Sequence, residues 1–132
     1  MTNKELGALG EELAANYLMK SGYRLLHRNW RLKGGCEIDI VAFKDNALHF
    51  VEVKTRTTTF IDPLKAVDTV KIHHISRAAL QYKRYYGYTY DTCIDAIGIV
   101  YTSETDYQLH WIPNVHNNLT DYGYQNWNRK KR

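Results

Sequence analysis

Apolar and polar positions alternate with two different periods along the chain. Over residues 4–20, Leu6, Leu9, Leu13 and Tyr17 recur at helical spacing, and Ala14 and Leu18 widen the stripe. That pattern predicts an amphipathic first helix, with Asn3 as its N-cap and Ser21-Gly22 as its stop, Gly22 standing at the C-cap. Residues 23–30 read as a strand and Lys33-Gly34-Gly35 as a turn. The segments 36–43 (CEIDIVAF) and 48–56 (LHFVEVKTR) alternate with period two. They read as strands joined by Lys44-Asp45-Asn46-Ala47, because Asp and Asn tolerate the positive φ of a tight hairpin. A polar, Pro-containing loop covers 57–64. A second helix is predicted over 65–86, with Ala66, Val70, Ile72, Ile75, Ala78, Ala79 and Tyr82 inward and Gly87 ending it. Residues 92–101 and 107–112 read as two more strands.

The order is helix, three strands, helix, two strands. A helix between the third and fourth strands implies at least one parallel pairing, hence a mixed sheet. The expected fold is an α/β sandwich with a five-stranded mixed sheet and helices on one or both faces. Residues 1–113 form one domain in this reading, and 114–132 a basic tail ordered only in part.

With 132 residues the chain suffices for one domain with a real core. A hydrophobic share of 44% and a charged share of 24% exclude overall disorder. No apolar run approaches the roughly 20 residues of a membrane helix, so no membrane partner is expected. The opening MTNKELGALGEE has acids where an export signal needs apolar residues, which makes the cytoplasm the expected location. Two separated cysteines, Cys36 and Cys93, exclude a disulfide framework or a cysteine zinc site. The net charge of +4 is unevenly spread: 14–36 and 70–90 contain no acid, and the chain ends Arg-Lys-Lys-Arg. A polyanionic partner and an ordinary solvated basic surface both fit that distribution.

The hairpin carries the most specific signal. With Asp45-Asn46 as a two-residue loop, Asp39 lies opposite Glu52, and Glu37 opposite Lys54. Glu37, Asp39 and Val41 then share a face with Phe50, Glu52 and Lys54, while Ile38, Ile40, Val51 and Val53 form the core face. Two opposed carboxylates repel. A divalent cation would remove the penalty, since Mg²⁺ takes oxygen ligands from one or two carboxylates and keeps waters. A solvated charge cluster explains the same alternation, and on alternation alone it is the favoured explanation.

The wider pattern changes that balance. Glu37-Ile38-Asp39, a short hairpin and Glu52-Val53-Lys54 resemble the D…ExK arrangement of the PD-(D/E)xK nuclease superfamily. Glu11 stands on the preceding helix where archaeal Holliday-junction resolvases carry a third acid. On a helical wheel Glu11 lies at the edge of the apolar stripe, and Glu12 points away. Gly7-x-x-Gly10-Glu11-x-x-Ala14, Leu18, Gly22-Tyr23, Arg28-Asn29-Trp30-Arg31, Glu37-Ile38-Asp39-Ile40 and Phe50-Val51-Glu52-Val53-Lys54-x-Arg56 resemble the bacterial YraN-like family over residues 1–101. Cys36 departs from the family's usual Gly, and Cys93-Ile94 from its common Arg-Phe before Asp95.

This resemblance implies a restriction-endonuclease-like sandwich, two- or three-layered, and Mg²⁺- or Mn²⁺-dependent hydrolysis of DNA, with branched or damaged DNA as the candidate substrate. Asp39, Glu52 and the Val53 carbonyl would hold the metal, with Glu11 completing the shell directly or through water. Lys54 would position the nucleophilic water. Glu37 either holds Lys54 or is solvated. Arg28, Arg31, Lys33 and Arg56 are candidates for phosphate contact or ordinary basic surface. Lys71 opens the second helix, where nucleases of this fold often place a basic residue; an exposed helix lysine is the plainer reading. Related resolvases work as two-fold dimers, so a homodimer is a candidate state. A non-catalytic nucleic-acid-binding module and a protein-interaction domain are the competing readings.

Other features are less informative. His73 and His74 point about 100° apart on a helix and cannot chelate together; surface and core-edge positions are expected. Asp95 interrupts an apolar strand and needs a partner that the sequence does not name. Tyr82, Tyr85, Tyr86, Tyr88 and Tyr90 suit either base stacking or, the plainer reading, a core edge and dimer surface.

Overall fold

The computed structural model describes residues 1–32, 34–58, 62, 65 and 67–115. Lys33, Ala66 and the tail from residue 116 onward lie outside the described residues. The elements are α1 (Asn3–Lys20), β1 (Arg24–Trp30), β2 (Ile38–Lys44), β3 (Ala47–Arg56), α2 (Thr69–Tyr86), β4 (Asp91–Ser103) and β5 (Asp106–Ile112). The strands lie in sequence order in one sheet. β3 and β4 are parallel, bridged by α2, and the other neighbours are antiparallel. The mixed five-stranded sheet is therefore as expected.

Two cores form, one on each face. Ala14, Ala15 and Leu18 of α1 pack on Ile40, Ala42, Val51, Val53, Ile97 and Ile99. Ile72, Ile75, Ala78, Ala79 and Tyr82 of α2 pack on Val41, Leu48, Phe50, Ile94 and Ala96. Successive strand residues thus face opposite helices, and the architecture is a three-layer α/β/α sandwich of the restriction-endonuclease-like kind. Among the described residues no helix is long and apolar enough to cross a membrane.

The helix ends differ from expectation in instructive ways. α1 is capped by Thr2, not Asn3: Thr2 Oγ1 accepts the Glu5 N–H at 3.1 Å, and Glu5 accepts the Thr2 N–H at 2.8 Å. This reciprocal capping box satisfies two otherwise orphaned donors. At the other end the cap is Ser21, one residue before Gly22. Gly22 takes φ 91° and donates to the Met19 carbonyl, while Tyr23 N–H returns to Leu18; this is the Schellman arrangement. The buried stripe of α1 runs through Gly10, Ala14, Ala15 and Leu18, and Tyr17 is exposed. α2 starts at Thr69 rather than at 65, because Asp68 accepts the Lys71 N–H at 2.9 Å and caps the helix there. Val67 is buried ahead of the cap, outside the helix, and Val70 is exposed rather than core.

Asp45 and Asn46 both take positive φ, and Lys44 faces Ala47, so the hairpin has the expected register. Asn29 also takes positive φ, at 53°. Beyond it the alternation breaks. Trp30 and its partner Ile38 pack in the α2-side core, although Ile40 packs on the α1 side. The expectation that Ile38 shares a face with Ile40 is therefore corrected: the left-handed residue rotates this end of the ribbon. At the far end of the chain, Val115 is buried and the Asn114 N–H donates to Asp95.

Candidate active site

The rotated end of β2 lies beside the C-terminal end of β3. The β2–β3 ladder runs from Lys44–Ala47 to Ile40–Val51 and stops one step short of Asp39 and Glu52. Past that point the Val53 N–H donates to the Asp39 carboxylate at 2.8 Å. Asp39 therefore reaches across towards β3 instead of standing squarely opposite Glu52. Glu37 precedes β2 and is exposed, so the expected Glu37–Lys54 ladder pair does not form.

α1 completes one wall because Gly10 lets it approach β3. A Cβ at Gly10 would lie 1.8 Å from Thr55 Oγ1, which no side chain can accept. That close approach sets Glu11, the next residue, over the end of the sheet. Glu12 points away and pairs with Arg28 at 2.9 Å on the surface. α2 supplies the opposite wall. The Asp68 cap fixes its first turn, and there the Lys71 ammonium lies 3.4 Å from Glu52 Oε2.

The result is an open cavity of about 530 Å³ at the end of the sheet. Glu11, Asp39, Glu52 and Val53 line it, together with the cations Lys54, Arg56 and Lys71. Glu37 lines its rim. All four candidate catalytic residues and the proposed metal donors thus meet at one place. Of the candidate phosphate contacts, Arg56 and Lys71 share the cavity. Arg28 is engaged with Glu12, Arg31 is exposed and is not part of the cavity lining, and Lys33 lies outside the described residues.

The electrostatics are those of crowded acids. Burial, then the charge of Asp39, push Glu52 up to about 7, and the nearby Lys71 only partly opposes them. Burial also raises Asp39, against the Val53 hydrogen bond. Glu11 is raised by burial and by Asp39, with a hydrogen bond from Asn29 in opposition. For Lys71, burial acts to lower the pKa, but Glu52, Cys36 and Asp39 together outweigh it and raise it. Removing water thus costs the carboxylates more than one ammonium returns.

Among the described residues no three His, Cys, Asp or Glu side chains are arranged to hold a metal ion. Two carboxylates and the Val53 carbonyl remain as hard oxygen donors. Magnesium accepts such an incomplete protein shell and retains waters, so the donor chemistry fits.

A comparison with protein families matches residues 10–99 to Uncharacterised protein family UPF0102. The chain belongs to this family. It is the same family to which the sequence motifs pointed. A UPF0102 protein of Leifsonia xyli is 40% identical over 113 residues, covering 84% of this chain and 95% of its own length. One from Bacteroides thetaiotaomicron is 46% identical over 99 residues, covering 74% and 81%. One from Syntrophomonas wolfei is 51% identical over 81 residues, covering 61% and 70%. The UPF0102 span contains Glu11, Asp39, Glu52, Lys54 and Lys71.

The roles of three residues of this UPF0102 chain escaped the sequence reading, although two of them, Gly10 and Asn29, stand in the motifs. Asn29 turns the ribbon and hydrogen-bonds Glu11; Asn is among the few residues with a side chain that enter the left-handed region. Gly10 permits the helix approach. His49 is the missing partner of Asp95: its Nδ1 lies 2.6 Å from the carboxylate, which is wholly buried. His49 and Asp95 are each flanked on their own strand face by apolar residues, Val51 beside His49 and Ile97 beside Asp95. His73 and His74 are both exposed. The tyrosines pack on one another at a core edge: Tyr82 is buried and bonds His27 at 2.8 Å, Tyr86 stacks on His27, and Tyr88 on Tyr86.

Proposed function

We propose that this protein is a divalent-metal-dependent nuclease that hydrolyses phosphodiester bonds in DNA. The observation that carries the reading is the meeting of Asp39, Glu52 and Lys54 in one solvent-open cavity at the sheet end. Asp39, Glu52 and the Val53 carbonyl are the groups that would hold Mg²⁺ or Mn²⁺. Such an ion, when bound, supplies concentrated positive charge against the phosphate oxygens.

The chain's own residues do the rest. Lys54, half-buried at the cavity wall, donates to the attacking water and holds it in line with phosphorus. Its charge then stabilises the oxygens that gain negative charge. Arg56 orients the adjoining phosphate. Glu11 accepts a hydrogen from water entering beside Asp39. Lys71, 3.4 Å from Glu52, partly offsets the burial and the Asp39 charge that hold a proton on that carboxyl.

One observation favours a second reading. The Lys71 ammonium already neutralises Glu52 at 3.4 Å, which suits a module that binds nucleic acid without cutting it. Linear, nicked, flapped and four-way DNA incubated with Mg²⁺ or Mn²⁺ separates the two. A nuclease yields products, and Asp39→Asn or Lys54→Met lowers the rate by about a hundredfold or more. Salt-sensitive binding with no product under either ion supports the module instead.

A further inference from the structure

A second depression of about 390 Å³ adjoins the first along α2. Gly34, Gly35 and Cys36 form one side, and His74, Arg77 and Gln81 the other. Lys71 belongs to the first cavity, and these three α2 residues continue from it over an arc of about 120°. Along the axis, Lys71 and Arg77 stand about 9 Å apart. The chain itself connects the two spaces, since Cys36 lines this depression and the next residue, Glu37, lines the first cavity. Its pKa raised by burial, Cys36 stays a thiol and donates to the Glu37 carbonyl, so it is a wall and not a nucleophile.

The chemistry of this depression is one-sided. α2 contains no acid between Thr69 and Tyr86. Among the described residues Arg77 has no carboxylate at ion-pair distance, unlike Arg28 and Lys71. The opposite side presents two glycines. Nothing lies within 4 Å of a Cβ position at Gly34, and Gly35 seats close to Gln81. Uncovered backbone beside an unpaired guanidinium suits a phosphate, which Arg grips bidentately. An acidic protein would find the same cation, but a nucleic-acid strand entering the first cavity must also leave it, and this is an adjoining exit along α2.

We propose that the depression is a backbone-tracking subsite. It receives a phosphate of the nucleic-acid strand flanking the one at the Asp39–Glu52 centre, with Arg77 as its cation and Gln81 and His74 as polar side contacts. The assignment rests on the nuclease reading of the adjoining cavity. Fluorescence anisotropy of labelled single-stranded DNA with the full-length protein in EDTA, across a salt series, tests it. Arg77→Gln weakens binding by about fivefold and lowers the slope of log K against log salt by about one. His74→Glu weakens it at least as much. Lys20→Gln removes the same charge from the far end of α1 and changes affinity by less than about twofold. Both α2 positions are exposed, so melting curves of the variants superimpose on the wild type. If Arg77→Gln and His74→Glu match Lys20→Gln, the subsite is overturned while the nuclease reading stands. If the wild type binds no DNA at low salt either in EDTA or in Ca²⁺, which fills a carboxylate site without supporting cleavage, the nuclease reading itself fails and takes the subsite with it. Displacement of the DNA equally well by polyglutamate overturns the nucleic-acid assignment in favour of an acidic protein.

Discussion

Glu52 is only 5% exposed and stands between an ammonium and a second carboxylate. Burial and Asp39 win, so the folded protein retains a proton on Glu52 up to about pH 7, whereas the unfolded chain releases it near 4.5. A pKa raised by folding adds stability below the unfolded value, and that stability is lost as pH rises through the folded value. In EDTA the melting temperature should therefore fall between about pH 5 and pH 8, and Glu52→Gln should remove much of that fall. An undiminished slope in the variant would place the titrating group elsewhere. The other buried acid has different neighbours. Asp95 has His49 at 2.6 Å and the Asn114 N–H at 2.9 Å, so each of its oxygens has a hydrogen-bond partner. A carboxylate only accepts, which puts the proton on His49 Nδ1. Tyr23 packs edge-on against that ring at 4.9 Å. His49→Ala strips the main partner from a buried charge and should cost about 3 kcal/mol, read from urea unfolding. A loss near zero would mean that water replaces the imidazole.

Helix α1 is positioned by an absent side chain. Its contact with β3 exists because Gly10 has no Cβ to meet Thr55. Gly10→Ala should destabilise the fold by about 1–3 kcal/mol despite alanine's better helix propensity, and should move Glu11 out of the cavity. Thr55→Ala should rescue only part of the loss, because Thr55 Cβ itself would lie 2.9 Å from the new methyl; full rescue would confine the clash to the hydroxyl. Such contacts explain what the sequence could and could not disclose. The hairpin was legible because Asp45-Asn46 favour positive φ locally, and its register then followed. The parallel β3–β4 pair was legible because a helix must span it. The rotated end of β2 was not legible, because Asn29 lies on β1 and acts on Ile38 through the pairing of Trp30. The start of α2 was misplaced because 65–67 continue the apolar period, and Asp68 outcompetes that period with a capping bond. Val70 shows the same limit: its spacing suits a core position, but the capped helix turns it outward. The four acids and cations of the cavity were nameable from their order in the chain. Their tilt, with Asp39 bonded to the Val53 amide, depends on where the ladder stops.

The three layers bring α1, the C-terminal end of β3 and the first turn of α2 to one edge of the molecule, where Glu11, Asp39 and Glu52 share one cavity. Glu11, Asp39 and Glu52 are all raised by burial, so the fold carries a cost that a hard cation can offset. Whatever binds the folded state alone stabilises it by RT ln(1 + [L]/Kd), about 2.7 kcal/mol at a hundredfold excess over Kd. Mn²⁺ should therefore raise the melting temperature of the wild type, and Asp39→Asn should abolish the rise. Protons and metal compete for the same oxygens, so the rise should be larger at pH 8 than at pH 5. Lys54→Met should keep the rise, because Lys54 donates no oxygen, and this separates metal binding from cleavage. Lys71→Met should enlarge it, since Lys71 is the resident countercharge of Glu52 at 3.4 Å. A rise of equal size in Asp39→Asn would place the metal away from the sheet end and leave Asp39 a structural acceptor for the Val53 amide.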